Sequence, residues 1–246
     1  MRKLLFILLG LPILSFAVPT VIKVGTTGDY PPLTQKTTKG YSGRDICIIN
    51  HFAGDFNYSV QFESTSWPKL SSDLSGGKFA IAVGGISGTS ARATQFGFSS
   101  PIESSAKVAM VRCSEQQRFT NFTAIDNESI TVIENRGGTN ELFALQHLTR
   151  ATIILVPENY TAITALTKTP TRADVMFTDN VEVTYHHELD GKLCPANLAE
   201  TFPQPDKVFL FSRDNFGVKL QQQFNSWWLK NSSQMINQCK LQAYEN

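Results

Sequence analysis

Apolar and polar positions along this chain fall into short runs, some continuous and some spaced at helical intervals. Residues 21–25, β-branched apart from Lys23 and Gly25, are closed by the polar turn Thr26-Thr27-Gly28-Asp29-Tyr30, which predicts a strand ending in a loop. Helical spacing predicts helices over residues 45–56 and 69–75, with a strand over 58–62 between them. Residues 79–83 read as a strand running into Gly84-Gly85-Ile86-Ser87, and 107–112 as another. A run over 130–133 ends at Asn135; a two-glycine turn follows, then a helical pattern with Leu142, Leu145 and Leu148 on one side. Strands over 152–156 and 173–177 flank a helix over 160–168, and 207–211 is the last strand before two amphipathic helices after Asn215. Such alternation predicts an α/β fold with largely parallel sheets. Polar, glycine-containing turns end several strands, where open α/β sheets hold their ligands. No repeat, low-complexity tract or long linker interrupts the pattern, which suits two lobes between which the chain passes more than once.

The start of the chain stands apart from this pattern. Met-Arg-Lys precedes an apolar run over residues 4–14, and Ser15-Phe16-Ala17 supplies a small-x-small cleavage pattern. Residues 1–17 therefore read as a secretory signal peptide, the run being shorter than the ~20 residues that span a bilayer. No later stretch is apolar enough to span a membrane, so the mature chain is expected to be soluble and secreted, or periplasmic if bacterial. At 41% apolar and 17% charged residues, the composition is that of a folded globular protein. A net charge of +1 without any Lys/Arg cluster gives no footing for nucleic acid or an acidic membrane surface.

Four cysteines, Cys47, Cys113, Cys194 and Cys239, in an exported chain favour two disulfides over a metal site. There is no Cys-x-x-Cys pair, and His51, His147, His186 and His187 lack ligand spacing with the cysteines. His186 and His187 are adjacent and predict a solvated helix face. Five Asn-x-Ser/Thr sequons, at Asn57, Asn121, Asn127, Asn159 and Asn231, exceed chance and lean towards a secreted glycoprotein.

Four stretches carry candidate chemistry. Gly137 and Gly138 let a ligand approach the main chain, and Thr139 is a candidate N-cap whose following amides would face an anion; an ordinary strand-to-helix connection is the other reading. After residues 79–83, Ser87 and Arg92 suit a planar carboxylate, which a guanidinium grips with two parallel bonds; a surface loop with a solvated Arg is the alternative. Thr65-Ser66-Trp67-Pro68 offers Trp67 as a ring-stacking wall or as a core residue. Thr178-Asp179-Asn180-Val181-Glu182 follows a strand, so its carboxylates are general-acid candidates or helix N-terminal charges. Phosphate-loop, nucleophile-elbow, His-Glu-x-x-His and dinucleotide motifs are absent, which predicts side-chain chemistry without metal, nucleotide or other cofactor.

Taken together, Val-Gly-Thr-Thr-Gly-Asp-Tyr (24–30), Gly-Tyr-Ser-Gly-Arg-Asp (40–45), Thr-Ser-Trp-Pro (65–68) and Gly-Gly-Ile-Ser (84–87) with Arg92 resemble the family 3 solute-binding proteins. Cys-Ser-Glu (113–115), Asn-x-Gly-Gly-Thr-Asn-Glu (135–141), Thr-Asp-x-x-Glu (178–182), Glu-Leu-Asp-Gly-Lys-Leu-Cys (188–194) and Ser-Arg-Asp (212–214) are similar to the exported cyclohexadienyl dehydratases built on that fold. The likeness spans about residues 20–240.

It implies a two-lobed, periplasmic-binding-protein-like (type II) fold with a ligand cleft between the lobes. Residues 18–111 and 207–246 would form lobe 1, and 112–206 lobe 2. The implied activity is decarboxylating dehydration of prephenate to phenylpyruvate or of arogenate to phenylalanine, and the implied partner is a small carboxylate. By resemblance, Glu182 falls at the proton donor, Asn135 at a polar residue of the same site, and Arg92 at the ligand-carboxylate Arg. Lys107 and Trp67 match further cleft positions. The resemblance also implies Cys113–Cys194 within lobe 2, and Cys47–Cys239 tying the last helix to the first. Arg136 stands where the dehydratases carry Pro, and an extra guanidinium there bears on which anion is accepted. Arg44, Cys47 and Pro31-Pro32-Leu33 are further departures. A non-catalytic binder of an amino acid or small carboxylate is the alternative, and a secreted interaction protein a third. Glu182 beside Asn135 divides them, since a plain binder has no use for a buried proton donor.

Overall fold

A computed structural model describes residues 19–168, 170 and 172–242. The proposed signal peptide at 1–17 lies outside the described residues. Strand β1 (Thr20–Thr26) leads into a small antiparallel sheet of β2 (Asp29–Tyr30), β3 (Thr34–Thr37) and β4 (Gly40–Ser42). Helix α1 (Arg44–Asp55) then returns to β5 (Tyr58–Ser64), and α2 (Leu70–Ser75) to β6 (Ile81–Ala82). Both β5 and β6 lie parallel to β1, one on each side. A short α3 (Ser90–Ala93) and β7 (Gly97–Phe98) complete this first pass.

The chain then crosses to a second sheet. It holds β8 (Ala106–Arg112), α4 (Phe122–Ile125), β9 (Thr131–Asn135), α5 (Thr139–His147), β10 (Thr152–Val156) and α6 (Asn159–Thr167). It continues with β11 (Val175–Asp179), α7 (Asn180–Asp190), β12 (Leu193–Pro195) and β13 (Phe202–Pro203). Crossing back, β14 (Leu210–Phe211) inserts between β6 and β7, and α8 (Asn215–Gln242) closes the first lobe.

Each sheet is mixed, where the apolar pattern predicts largely parallel ones. In each, three strands run parallel (β5-β1-β6 and β10-β9-β11), and antiparallel strands flank them. The flanking strands β14 and β8 belong to the two crossings, so each enters its sheet against the direction of the parallel trio. The crossings pair with each other: the Lys207 amide donates to the Glu103 carbonyl and the Ile102 amide to the Lys207 carbonyl, both at 2.8 Å. This spends the backbone of Lys207 outside the sheet and shortens the expected strand 207–211 to Leu210–Phe211.

One continuous helix replaces the two expected after Asn215. No Gly or Pro interrupts 218–242, and Leu220, Phe224, Trp227, Trp228, Met235 and Cys239 are buried along a single face. That face packs with Phe52 of α1 and Phe209 and Phe211, and the Cys47–Cys239 disulfide bonds α8 to α1. Cys113–Cys194 closes the second lobe near β8 and β12, and each bridge contributes roughly 2–4 kcal/mol.

Helix α5 also departs from its predicted face. Leu142 and Leu145 are 55% and 54% exposed, while Asn140, Phe143 and Ala144 are buried. The second core is aromatic there: Phe143 lies 4.8 Å from Phe177 and 5.2 Å from Phe202 between ring centroids, and those rings select the buried face. His186, expected on a solvated face, is buried and lacks a partner at Nε2, and burial lowers it to about 4. His51 and His187 do approach cysteines, His187 Nδ1 lying 3.5 Å from Cys194 Sγ. Those sulfurs are spent in disulfides and offer no thiolate to a metal.

Candidate active site

Strand order reverses at β1 in the first sheet and at β9 in the second, and these two switch points face each other. From the first lobe come the turn after β1, with Asp29 and Tyr30, and the turn after β6, with Gly84 and Gly85. The Gly85 amide donates to Asp45 Oδ2 at 3.0 Å, pinning this turn to the start of α1. From the second lobe come the Asn135–Gly138 turn after β9 and the Thr178-Asp179 end of β11. Gly137 has φ 81°, and a Cβ there would lie 2.4 Å from the Pro68 backbone nitrogen. Only glycine lets this turn close on Trp67-Pro68 across the cleft.

A small cavity of about 10 Å³ lies between the lobes, walled by Tyr30, Trp67, Gly85 and Ser87 on one side. Asn135, Gly138, Thr139, Asn140 and Asp179 form the other side. Trp67 is part of the core cluster, its indole N–H donates to Asp29 Oδ1 at 3.1 Å, and it also borders the cavity. Thr139 is the first helical residue of α5 and Gly138 its N-cap, so no hydroxyl caps the helix that the glycine turn begins.

Asp179 is the centre of charge. Its Oδ1 accepts from Lys107 Nζ at 2.9 Å; its Oδ2 accepts from Lys207 Nζ and, at 2.5 Å, from Tyr30 Oη. Lys107 also donates to Asn140 Oδ1 at 2.5 Å, and Lys207 to Ser87 Oγ at 2.9 Å. Burial alone would raise the Asp179 carboxyl, but the two ammonium groups reverse this and hold it below the ordinary range.

Glu182, one helical turn on, is fully buried and touches only neutral groups. Asn159 Nδ2 donates to its Oε1 at 2.5 Å, and Thr178 Oγ1 shares a hydrogen bond with its Oε2. Burial raises this carboxyl to about 8, the two hydrogen bonds offsetting it only in part, so it is protonated at neutral pH. Glu182 does not wall the cavity. It sits one layer behind, under the Asp29-Tyr30 turn of the first lobe, whose Asp29 carbonyl accepts from Asn159 Nδ2 at 3.1 Å. Thr178 Oγ1 lies 3.2 Å from Tyr30 Oη and so links Glu182 to the wall.

Arg92 is half-buried and donates to the Ser87 carbonyl at 2.9 Å. Among the described residues it has no acidic partner, and burial lowers its pKa to about 10. A roomier depression between α6 and the β9–β10 strands, bordered by Ile154, Thr164, Lys168 and Arg172, lacks the buried convergent charges of the cleft.

The chain matches the model of the bacterial extracellular solute-binding proteins, family 3, over residues 22–234. It belongs to that family. It is 35% identical to the cyclohexadienyl dehydratase of Pseudomonas aeruginosa over 195 residues, covering 79% of this chain and 72% of the relative. Among solved structures, an ancestral amino acid-binding protein, AncCDT-1, a precursor of cyclohexadienyl dehydratase, superposes with a TM-score of 0.79 at 24% identity, covering 89% of this chain and 95% of that one. AbpA of Streptococcus pneumoniae, bound to L-arginine, gives 0.82 at 19% identity, covering 92% and 94%. At such identities the structures establish the fold: two α/β lobes around a cleft.

Of the residues singled out in the sequence, Trp67, Ser87, Asn135, Gly138 and Thr139 wall the cavity of this family 3 protein. Lys107 lies just beneath, bonded to two wall residues, while Arg92 and Glu182 stand off the wall. Arg136, expected to bear on anion choice, is exposed and outside the cavity. Tyr30, Asn140, Asn159 and Lys207 were not legible as site residues. Asn159 reads as a sequon, but it is wholly buried and its side chain donates to Asp29 and Glu182, so the structure closes that sequon to an oligosaccharide. Among the described residues no helix is long and apolar enough to cross a membrane.

Proposed function

We propose that this protein is a cyclohexadienyl dehydratase-like lyase, acting on prephenate to give phenylpyruvate or on arogenate to give phenylalanine. The observation that carries the reading is Glu182, a buried carboxyl kept protonated among neutral partners beside a cation-rich cleft. In the substrate, the ring carboxylate leaves as CO₂ and its bonding electrons complete the aromatic ring, expelling the hydroxyl across the ring. Hydroxide is a poor leaving group, so a positioned acid lowers the barrier by delivering its proton and releasing water. Parting the lobes lifts the Asp29-Tyr30 turn off Asn159 and Thr178 and opens Glu182 to the incoming ring. Arg92, lacking an acid of its own, takes a substrate carboxylate, and Asn135 holds the leaving group in register. The reading includes export by residues 1–17, lobes of 18–111 with 207–246 and of 112–206, and oligosaccharides at Asn57, Asn121, Asn127 and Asn231.

Non-catalytic capture is the second reading, supported by structural neighbours bound to L-arginine. Purified protein mixed with prephenate decides between them: phenylpyruvate absorbance appears under the first reading. Arogenate, assayed for phenylalanine, is the companion substrate, and tight ligand binding with no product in either assay establishes the second.

A further inference from the structure

Among the described residues, β10 is the one outer strand of the two main sheets that is both long and uncharged. At the other end of its sheet β12 has three residues and ends in Pro195. In the first sheet β7 has two residues, and β5 carries Glu63 paired with Lys23. Shortness, Pro and charge are the usual protections of a sheet edge, and the run Thr152-Ile-Ile-Leu-Val156 has none of them.

The backbone shows which groups of β10 are free. The Thr152 amide donates to the Ile130 carbonyl, and the Val156 carbonyl accepts from the Arg136 amide. Residues 152, 154 and 156 therefore turn their amides and carbonyls towards β9. Ile153 and Leu155 turn theirs outward, and among the described residues nothing bonds them. Ile154 is 38% exposed and, with Val156, borders the apolar depression beside α6.

An antiparallel copy of the same strand fits this edge in one register. With Ile154 on a two-fold axis, Ile153 of one copy stands opposite Leu155 of the other, and each such pair exchanges both backbone bonds. All four outward groups of each strand are then satisfied. Moving the axis to Ile153 brings in Ala151, whose amide already donates to Asp126 Oδ1; moving it to Leu155 brings in Pro157, which has no amide. The facing side chains about Ile154 are Thr152 with Val156, Ile153 with Leu155, and Ile154 with its own copy, all suited to cross-strand packing. Just beyond them, Arg150 of one copy comes opposite Glu158 of the other, once at each end. Glu158 is exposed, and its side chain makes no bond to the helix it caps. Arg150 holds only the exposed Glu128, at 3.5 Å.

We propose that β10 is a dimerisation edge, on which a second copy of this chain pairs antiparallel about Ile154 and joins the two second-lobe sheets into one. None of the residues walling the cleft cavity lies on β10, so the pairing leaves the ligand site open. The inference is independent of the dehydratase reading and holds for enzyme and binder alike.

Sedimentation velocity on the full protein tests this, as made and after enzymatic removal of oligosaccharides. Removal matters because the Asn127 sequon follows Asp126, which holds the Arg150 amide. A monomer is expected at about 1 µM and a dimer at about 200 µM, the range of a small interface. Ile154→Lys sets two ammonium groups face to face on the axis and is expected to leave a monomer at both concentrations, with its circular dichroism spectrum unchanged. Glu158→Arg and Arg150→Glu each bring like charges together and should weaken the dimer about tenfold, while the double exchange should restore it. That restoration reads the register, because local disturbances at two sites would add and not cancel. A wild-type monomer at the higher concentration in both preparations would overturn the proposal. So would a dimer that survives Ile154→Lys, or one that the double exchange weakens further. Should Ile154→Lys fail to fold, the charge exchange decides alone.

Discussion

Asp179 and Glu182 lie one helical turn apart at the start of α7, both almost wholly buried, and they hold opposite protonation states. Asp179 faces the two ammonium groups of Lys107 and Lys207 and stays charged well below the usual carboxylate range. Glu182 faces an amide and a hydroxyl, and burial pushes it up to about 8. Desolvation raises both carboxyls; at Asp179 the ionic partners reverse it, whereas at Glu182 the two neutral hydrogen bonds compensate only in part. Two carboxyls with the same burial and separate tasks follow from this: one anchors the cations of the cleft, the other stores a proton next to it.

The strongest way to break that comparison is to remove the proton. Glu182→Gln keeps the shape and the bond from Asn159 and is expected to lower kcat by about 10²–10⁴ with ligand binding nearly unchanged. Steady-state kinetics on prephenate checks this, and an unaltered kcat would exclude Glu182 as the acid. Asp179→Asn tests the other half. It leaves Lys107 and Lys207 buried without a counter-charge, which should cost about 3–5 kcal/mol of stability in chemical denaturation. A loss under about 1 kcal/mol would mean the lysines find other partners or shed their protons.

These two carboxyls differed in how far the sequence exposed them. Thr178-Asp179-Asn180-Val181-Glu182 follows a strand whose apolar run is clear, so a carboxylate at a sheet's C-terminal edge was expected. Likewise Asn135 and the glycine turn end β9, and Ser87 ends the other glycine turn. Residues that depend on contact between lobes were hidden. Asn159 joins the site through Asp29, 130 positions earlier, and its local sequence spells only a sequon. Lys207 opens an apolar run and reads as a strand start, whereas the crossing turns its ammonium onto Asp179. Helical spacing on α5 marked Leu142 and Leu145, but the aromatic partners that bury Phe143 instead come from β11 and β13. Local periodicity carries the elements; which face is buried depends on residues far away in the chain.

Arg92 sharpens the comparison from the cation side, as the positive charge of the cleft that has no acid within reach among the described residues. Arg92→Ala is expected to raise KM for prephenate by about 10- to 100-fold, with a smaller change in kcat, because a charge-assisted contact to the substrate is lost. Arg92→Lys should recover little, since an ammonium cannot reproduce the planar fork. Unchanged KM in Arg92→Ala would assign the carboxylate contact to Lys107 or Lys207.

The smallest effect is a slope with pH, and its sign separates the two carboxyls. The Glu182 pKa is raised from an ordinary 4.5 to about 8 on folding, so its contribution to stability is complete below the unfolded value. It declines as pH rises from there to about 8, by at most about 1.4 kcal/mol per pH unit for one proton. Asp179 is depressed on folding, so its contribution is complete above the ordinary Asp range and is lost only as pH falls below it. Between about pH 5 and 7.5, Asp179 therefore gives no slope and Glu182 gives a falling one. His186, lowered to about 4 by burial, works the other way below its unfolded value near 6.5, because the unfolded chain binds the extra proton there. Comparing wild type with Glu182→Gln cancels that histidine. Urea denaturation across this range should show the variant gaining on the wild type by about 1 kcal/mol per pH unit, while Asp179→Asn tracks the wild-type slope. If the Gln variant and the wild type ran parallel, Glu182 would be ionised in the folded protein, and the difference between the two carboxyls would not exist.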